Sequence, residues 1–135
     1  MLTRHWYGLL LAAAVPVLAQ AQVQAQTGPR IPVEDFTPLL LQAIDAPSGT
    51  AQGTLIGPAA QAISQHFAAS TPIRVDVSTQ LVYAQHGCRR LQVAVWQDDV
   101  RLQPGAAPAR QSITFGINYC LDGKPPADLT KGAPR

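Results

Sequence analysis

Two cysteines are the residues of this chain best suited to covalent chemistry. Cys88 and Cys120 lie 32 positions apart, far from the C-x-x-C spacing typical of redox-active and zinc-binding pairs. In an oxidising compartment an isolated pair of cysteines usually forms a disulfide. We therefore predict a structural Cys88–Cys120 disulfide, with no metal site and no cofactor.

Hydrolytic chemistry would need a nucleophile and a general base. His66 and His86 are the only histidines beyond the first few residues, and no serine lies in a G-x-S-x-G context. Asp98 and Asp99 form an acidic pair, but adjacent carboxylates are usually solvated surface groups. We expect a protein that is not an enzyme, with a small atypical hydrolase using His66 or His86 as one alternative.

Trp96 is the residue that most suggests binding. Interfaces between proteins favour Trp, Tyr and Arg, and Arg101 and Arg110 lie close to Trp96 along the chain. These three residues form the predicted partner-binding site, whereas the alternative is that Trp96 only covers part of the fold. On the binding hypothesis, Trp96→Ala leaves folding intact and weakens binding to the partner.

The N-terminus has the pattern of an export signal. Arg4 and His5 precede an apolar run at residues 9–18, and the small-x-small triplet Ala19-Gln20-Ala21 follows. The run is shorter than the ~20 residues that cross a bilayer. We predict a signal peptide over 1–21, no membrane anchor after cleavage, and a periplasmic or secreted bacterial protein.

The charge content argues against nucleic acid as a partner. Charged residues make up only 13% of the chain and the net charge is +2, with no basic cluster larger than Arg89-Arg90. A nucleic-acid-binding surface needs a basic patch or stripe. A protein partner is the remaining expectation, and the oligomeric state stays open.

Two helices are predicted in the first half of the chain. Asp35 is a candidate cap for the first helix, with Pro38 in its first turn and apolar residues up to Ile44. A loop is expected at 45–53. A second helix is predicted to open at Gly57-Pro58 and to end near Ser70.

Alternating polarity predicts three strands after Pro72. The first strand presents one apolar face from Ile73 to Tyr83, and its outer face would carry Val82 in a patch with Ala94 and Trp96. The other two strands are predicted to form a hairpin. Four cross-strand pairs define its expected register: Cys88–Cys120, Leu91–Ile117, Val93–Phe115 and Val95–Ile113. Residues 98–110 would form a partly paired arm.

The predicted fold class is α+β, with two N-terminal helices packed on a three-stranded antiparallel sheet that carries one disulfide. The predicted organisation is a signal peptide over 1–21, a flexible segment over 22–34, one domain over 35–121, and an irregular, mobile tail over 122–135.

One segment of the sequence resembles a known group of proteins. It runs from Gly87-Cys88-Arg89-Arg90-Leu91, through Trp96-Gln97-Asp98, to Asn118-Tyr119-Cys120-Leu121-Asp122-Gly123-Lys124-Pro125-Pro126. It resembles small exported proteins encoded among conjugative-transfer and type IV secretion genes of Gram-negative bacteria. The resemblance covers about the C-terminal half and implies an accessory role in the cell envelope, with no catalytic residues.

The sequence thus predicts a non-enzymatic exported domain that binds another protein, as an accessory of an envelope or conjugative-transfer apparatus. Besides the hydrolase, two alternatives remain. One is a periplasmic enzyme inhibitor or immunity-type protein that inserts the 98–110 arm into its target. The other is a structural surface subunit that self-assembles.

Overall fold

The computed structural model describes residues 29–133, so the predicted signal peptide lies outside the described residues. The elements, in chain order, are β1 (Ile31–Val33), α1 (Thr37–Asp45), β2 (Thr50–Leu55), α2 (Gly57–His66), β3 (Ile73–Val82), β4 (Cys88–Val100) and β5 (Ala109–Cys120). The strands form one sheet in the order β1-β2-β3-β4-β5, parallel between β1 and β2 and antiparallel elsewhere.

The predicted fold class is wrong in two respects. The sheet is five-stranded and mixed rather than three-stranded and antiparallel, and the helices alternate with strands instead of preceding them all. β1 lies in the segment expected to be flexible, and β2 begins in the expected loop. β1 has only three residues, and the buried positions of β2 are held by the small residues Ala51 and Gly53, so neither strand has a strong apolar pattern of its own, and both depend on pairing with their neighbours.

The first helix begins close to where the sequence predicts. Pro38 lies in the first turn of α1, and the Asp35 carboxylate accepts a hydrogen bond from the Thr37 amide at 2.7 Å. Hydrogen bonding by the Thr37 side chain, and next by the Thr37 amide, holds the pKa of Asp35 below its ordinary value. The buried side of α1 forms the core with residues from the first four strands: Val33, Leu39, Leu40, Ala43, Ile44, Ala51, Val75, Val77, Leu91 and Val93.

The second helix is shorter than expected. α2 ends at His66 rather than near Ser70, because Ala68 adopts a left-handed conformation with φ 49° that a helix cannot continue through. Ala60 is the one α2 residue that is fully buried. α2 therefore covers the sheet only partly, which leaves room for the groove described below.

The predicted hairpin register is confirmed. β4 and β5 pair through Cys88–Cys120, Leu91–Ile117, Val93–Phe115 and Val95–Ile113, and the two cysteines are joined in a disulfide. The pairing shifts between Gln97 and Val100, where Asp99 has φ 55°, and resumes at Val100–Ala109. The arm is therefore partly paired, and an exposed turn closes it.

The expected single apolar face of β3 is interrupted. A bulge between Thr79 and Leu81 moves the following side chains to the opposite side of the sheet. Leu81 and Tyr83 consequently pack beside the disulfide. Val82 turns toward the helix side, so it does not share a patch with Ala94 as the alternation predicts.

The C-terminal tail lies against the end of β3. Ala84 donates a backbone hydrogen bond to Thr130, Gly132 donates to Val82, and Tyr83 forms an isolated bridge with Lys131. The segment is irregular, but these contacts hold residues 130–132 alongside the end of β3, which lies next to the disulfide.

Candidate binding groove and sheet edge

The outer edge of β5 is the longest stretch of unpaired backbone on the sheet. β5 has 12 residues, and β4 is its one neighbour in the sheet that residues 29–133 form. Both amides of the Cys88–Cys120 pair donate outside the hairpin, to Gln85 and Lys124, so this pair is of the non-hydrogen-bonded kind. By alternation, Ser112, Thr114, Gly116 and Asn118 point their amides and carbonyls away from β4.

An apolar groove of about 280 Å³ lies along the helix side of this edge. Ile73 and Val100 form its buried floor, at 4% and 3% exposure. Apolar residues from α2, from the positions next to α1 and α2, from the end of β2 and from the β4–β5 hairpin surround the floor: Phe36, Leu55, Ile63, Phe67, Val95, Leu102 and Ile113. Trp96, Gln97, Gln111 and Ser112 also line the groove. Water therefore contacts a nearly continuous apolar surface, which is unusual for a monomeric soluble protein and typical of a binding site.

Three groove residues are far more exposed than their residue types normally are. Ile113 is 63% exposed, Leu102 is 60% exposed and Ile63 is 40% exposed. Phe115 follows at 38% and makes a tilted ring contact with Phe36, at 6.1 Å between centroids. Because these side chains come from α2, β5 and the arm, burying them together requires a second molecule or a bound segment.

Gln97 fixes α2 at the distance that keeps the groove open. Its side chain is buried in the apolar face of β4, and its amide donates to Ser64 at 2.9 Å and to the Thr71 carbonyl at 2.8 Å. Thr71 in turn donates to the Asp98 carbonyl, and the Arg101 amide donates to the Phe67 carbonyl. The helical spacing of Ile56, Ala60, Ile63 and Phe67 predicts that Ser64 points outward, whereas it faces Gln97.

Trp96 lies on the opposite side of the sheet, half-buried under Arg30. The Arg30 guanidinium is 5.0 Å from the centre of the indole ring. Its Nη1 is also 2.9 Å from an Asp76 carboxylate oxygen and 3.2 Å from the Gly53 carbonyl. Trp96 therefore serves as a platform for an arginine that connects the N-terminal end of the described chain to three strands.

The two predicted binding arginines have partners of their own. Arg110 forms a two-pronged ion pair with Asp98, and this pair holds the pKa of Asp98 below its ordinary value and raises that of Arg110. Arg101 donates to the Ala106 carbonyl at 2.7 Å within the turn of the arm. Trp96, Arg101 and Arg110 thus each take part in a local contact of their own, and their joint role in binding a partner stays a prediction.

The histidines do not meet. His66 ends α2 and packs edge-on against Phe67. His86 lies in the turn that precedes β4, away from α2. Across residues 29–133, no group of three or more His, Cys, Asp or Glu side chains could hold a metal ion. The buried disulfide, with Cys88 at 1% and Cys120 at 3% exposure, is packed against Leu81 and Tyr83.

A larger depression of about 570 Å³ lies near His86, at the opposite end of β4 from the groove. Its lining mixes the charged residues Asp45, Arg89 and Lys131 with apolar residues such as Ile44 and Leu121. A partner that covers this depression would have to remove water from the charged groups, which costs free energy that the apolar groove does not demand. We therefore place the candidate site at the smaller apolar groove.

No family model matches the chain, and no match was found among curated proteins or solved structures. No helix of the described part of the chain is long and apolar enough to cross a membrane. The disulfide fits an oxidising compartment.

Proposed function

We propose that this protein is a non-enzymatic exported domain that binds another protein through the groove and the outer edge of β5. The observation that carries the proposal is the coincidence of the two features on one side of one strand. An extended segment can pair with the free amides and carbonyls of β5 while its alternate side chains enter the apolar groove. Neither feature alone provides both affinity and specificity.

The groove sets the chemistry of the segment that fits. Its lining is mostly apolar, and its polar members are Gln97, whose side-chain donors are already used, and Gln111 and Ser112 on β5. A charged side chain would be desolvated there without compensation. The favoured ligand is therefore an extended strand with Leu, Ile, Val or Phe at every second position.

The wider setting also belongs to the proposal. The predicted signal peptide and the disulfide support a site of action outside the cytoplasm, and the resemblance described above supports an accessory role in an envelope or conjugative-transfer apparatus. The inhibitor alternative remains a prediction, because the exposed turn of the arm is compatible with insertion into a target. The hydrolase alternative receives no support from the positions of His66 and His86.

A selection from a random peptide library, displayed on phage, tests the proposal. The purified protein is immobilised sparsely, so that neighbouring copies do not meet, and the enriched peptides are then measured in solution. We expect alternating apolar patterns, and binding that falls at least about tenfold in Ile113→Asp, because a charge would enter the groove. Ile113 is mostly exposed, so the variant should fold normally.

Trp96→Ala is the comparison variant, because Trp96 is one of the residues along the groove but its ring lies against Arg30 on the opposite side of the sheet. Peptide binding that survives Trp96→Ala and is lost in Ile113→Asp supports the groove. The reverse result places the site on the outer side of the sheet, as the sequence predicts, and removes the groove from consideration. Enrichment that is equal on Ile113→Asp and on the original protein contradicts the proposal.

A further inference from the structure

We infer that the first partner of this surface is a second copy of the same chain, with two β5 strands paired antiparallel around a two-fold axis at Phe115. The inference rests on the proposed function, since it assigns an occupant to the same edge and groove. Two five-stranded sheets would then join into one continuous sheet.

The backbone geometry permits this pairing. The outward-pointing residues of β5 are the even-numbered ones from Ser112 to Asn118, so an antiparallel ladder must join even residues to even residues. An axis at Phe115 places Ser112 opposite Asn118 of the second copy and Thr114 opposite its Gly116. Four residues on each copy contribute a donor and an acceptor, which gives about eight hydrogen bonds.

The side chains of β5 are self-complementary in the same register. On the helix side, Phe115 faces Phe115 of the second copy, and Ile113 faces its Ile117. The most exposed isoleucine of the molecule thereby gains an apolar neighbour, at the spacing where cross-strand pairs interact. Each Phe115 already contacts Phe36, so the axis would pass through a cluster of four aromatic rings.

The charge pattern favours a second copy rather than an unrelated strand. Residues 111–119 contain no charged residue and no proline, although natural edge strands are usually protected by such residues against pairing. Self-pairing therefore places no like charges opposite each other.

The other edge of the sheet explains why the assembly closes as a dimer. β1 has only three residues, and Pro32 in its centre has no amide hydrogen to donate. A β5 edge can therefore not extend along a β1 edge, which would produce an open chain of copies. Pairing β5 with β5 uses the long edge of both copies and leaves only the short, protected edges.

Sedimentation of the full chain between about 1 and 500 μM, at several salt concentrations, tests the inference. We expect a monomer–dimer equilibrium whose dissociation constant rises at least about tenfold in Thr114→Pro, because the ladder loses the Thr114 donor of both copies. The Thr114 amide points away from β4, so proline leaves the hairpin ladder intact. Thr114→Ala, which keeps the amide, should dimerise like the original protein.

Engineered cysteines test the register. In the inferred dimer, Phe115→Cys places two identical residues directly opposite each other at disulfide distance, so mild oxidation should join two copies. Ile113→Cys places its two copies about four residues apart along the ladder, roughly 13 Å, which is too far to join. The double variant Ile113→Cys/Ile117→Cys should again form cross-linked dimers on oxidation, because position 113 of one copy lies opposite position 117 of the other.

The outcomes separate this inference from the proposed function. A monomer at every concentration, or an Ile113→Cys protein that cross-links as well as Phe115→Cys, overturns the dimer. If peptides are then still selected on the groove, the partner is another protein and the proposed function stands. A dimer that forms as inferred, while no peptide is enriched, supports the inference and restricts recognition by this surface to self-association.

Discussion

Gln97 shows how a single polar residue inside an apolar face can position a binding surface. Its side-chain amide reaches both the α2 residue Ser64 and the Thr71 carbonyl, beyond the end of that helix. A leucine at this position would fill similar space but would leave the Thr71 carbonyl without its donor. Gln97 therefore determines how far α2 lies from β4, and with it the width of the groove.

Replacing Gln97 should cost more stability than its size suggests. We expect Gln97→Leu to lower the free energy of unfolding by about 1–3 kcal/mol, the usual cost of an unsatisfied buried group. Urea denaturation measures the change. Gln92→Leu, on the exposed side of the same strand, is the control and should change stability by less than about 0.5 kcal/mol. Equal effects of the two variants would contradict the role given to Gln97.

The Asp98–Arg110 pair makes a pH-dependent contribution with a defined sign. In the folded protein the pKa of the Asp98 carboxyl is lowered, mainly by the hydrogen bond from Arg110. The contribution is therefore complete above the ordinary aspartate pKa and is lost as the pH falls through the folded value, roughly from pH 5 downwards. Because both side chains are exposed to solvent, the effect should be small and should shrink with added salt.

Asp98→Asn checks this assignment. We expect the variant to lose less stability than the original protein when thermal unfolding is compared at pH 7 and pH 3. Asp99→Asn, which removes the exposed carboxyl one residue along, serves as the control. If both variants keep the full acid dependence, the ion pair contributes nothing measurable.

Among the elements, β2 depends most on a residue that has no side chain. Gly53 lies where α1 crosses the sheet, and a Cβ there would meet a Leu39 methyl at 2.7 Å and the Ile31 carbonyl at 3.0 Å. Leu39 is fully buried and cannot move aside. The absence of a side chain at Gly53 thus lets α1 approach the sheet.

Two strand glycines allow a direct comparison. Gly53→Ala should destabilise the protein by about 1–3 kcal/mol, the range for overpacking a core. Gly116→Ala meets only the exposed Arg90 guanidinium, which can swing away, so alanine there should be neutral or stabilising by up to about 1 kcal/mol. Thermal or urea unfolding of both variants provides the test, and a harmless Gly53→Ala would show that α1 can shift.

The elements also show what the sequence could predict. The β4–β5 hairpin was predictable in register because the cysteine pair, a turn at Pro104-Gly105 and two alternating strands all required the same alignment. β1 and β2 were not, because residues 22–34 read as a flexible segment and 45–53 as a loop, and the strand character of both depends on partners elsewhere in the chain. The bulge at Thr79–Leu81 was equally hidden, since alternation continues through it unchanged.

The candidate site was only half predictable for a related reason. The pattern identifies Ile113 and Phe115 as members of an apolar face, and they are. How far α1 and α2 extend over that face depends on the early end of α2 at Ala68 and on the contacts of Gln97. The sequence therefore indicated Trp96, whose ring lies under Arg30, as the exposed binding residue, and did not indicate Ile113, which is the residue that remains exposed.

At the scale of the whole molecule, the disulfide joins the start of β4 to the end of β5. Closing a loop of 32 residues is worth about 3–4 kcal/mol in the chain-entropy model. Replacing both cysteines by alanine should lower the free energy of unfolding by about that amount. Urea denaturation of the variant and of the reduced original protein measures it, and unchanged stability in both would show that the hairpin restricts the unfolded chain without the bond.

The cover over this disulfide governs how quickly a reductant can act on it. Tyr83 and Leu81 pack against the two cysteines, and residues 130–132 pair with the end of β3 that carries Tyr83. A small thiol in solution must therefore wait until this corner of the sheet opens, so the rate of reduction should report how often it opens rather than how reactive the bond is. In a changing redox environment, the lifetime of the bond would thus depend on how firmly residues 130–132 hold the end of β3.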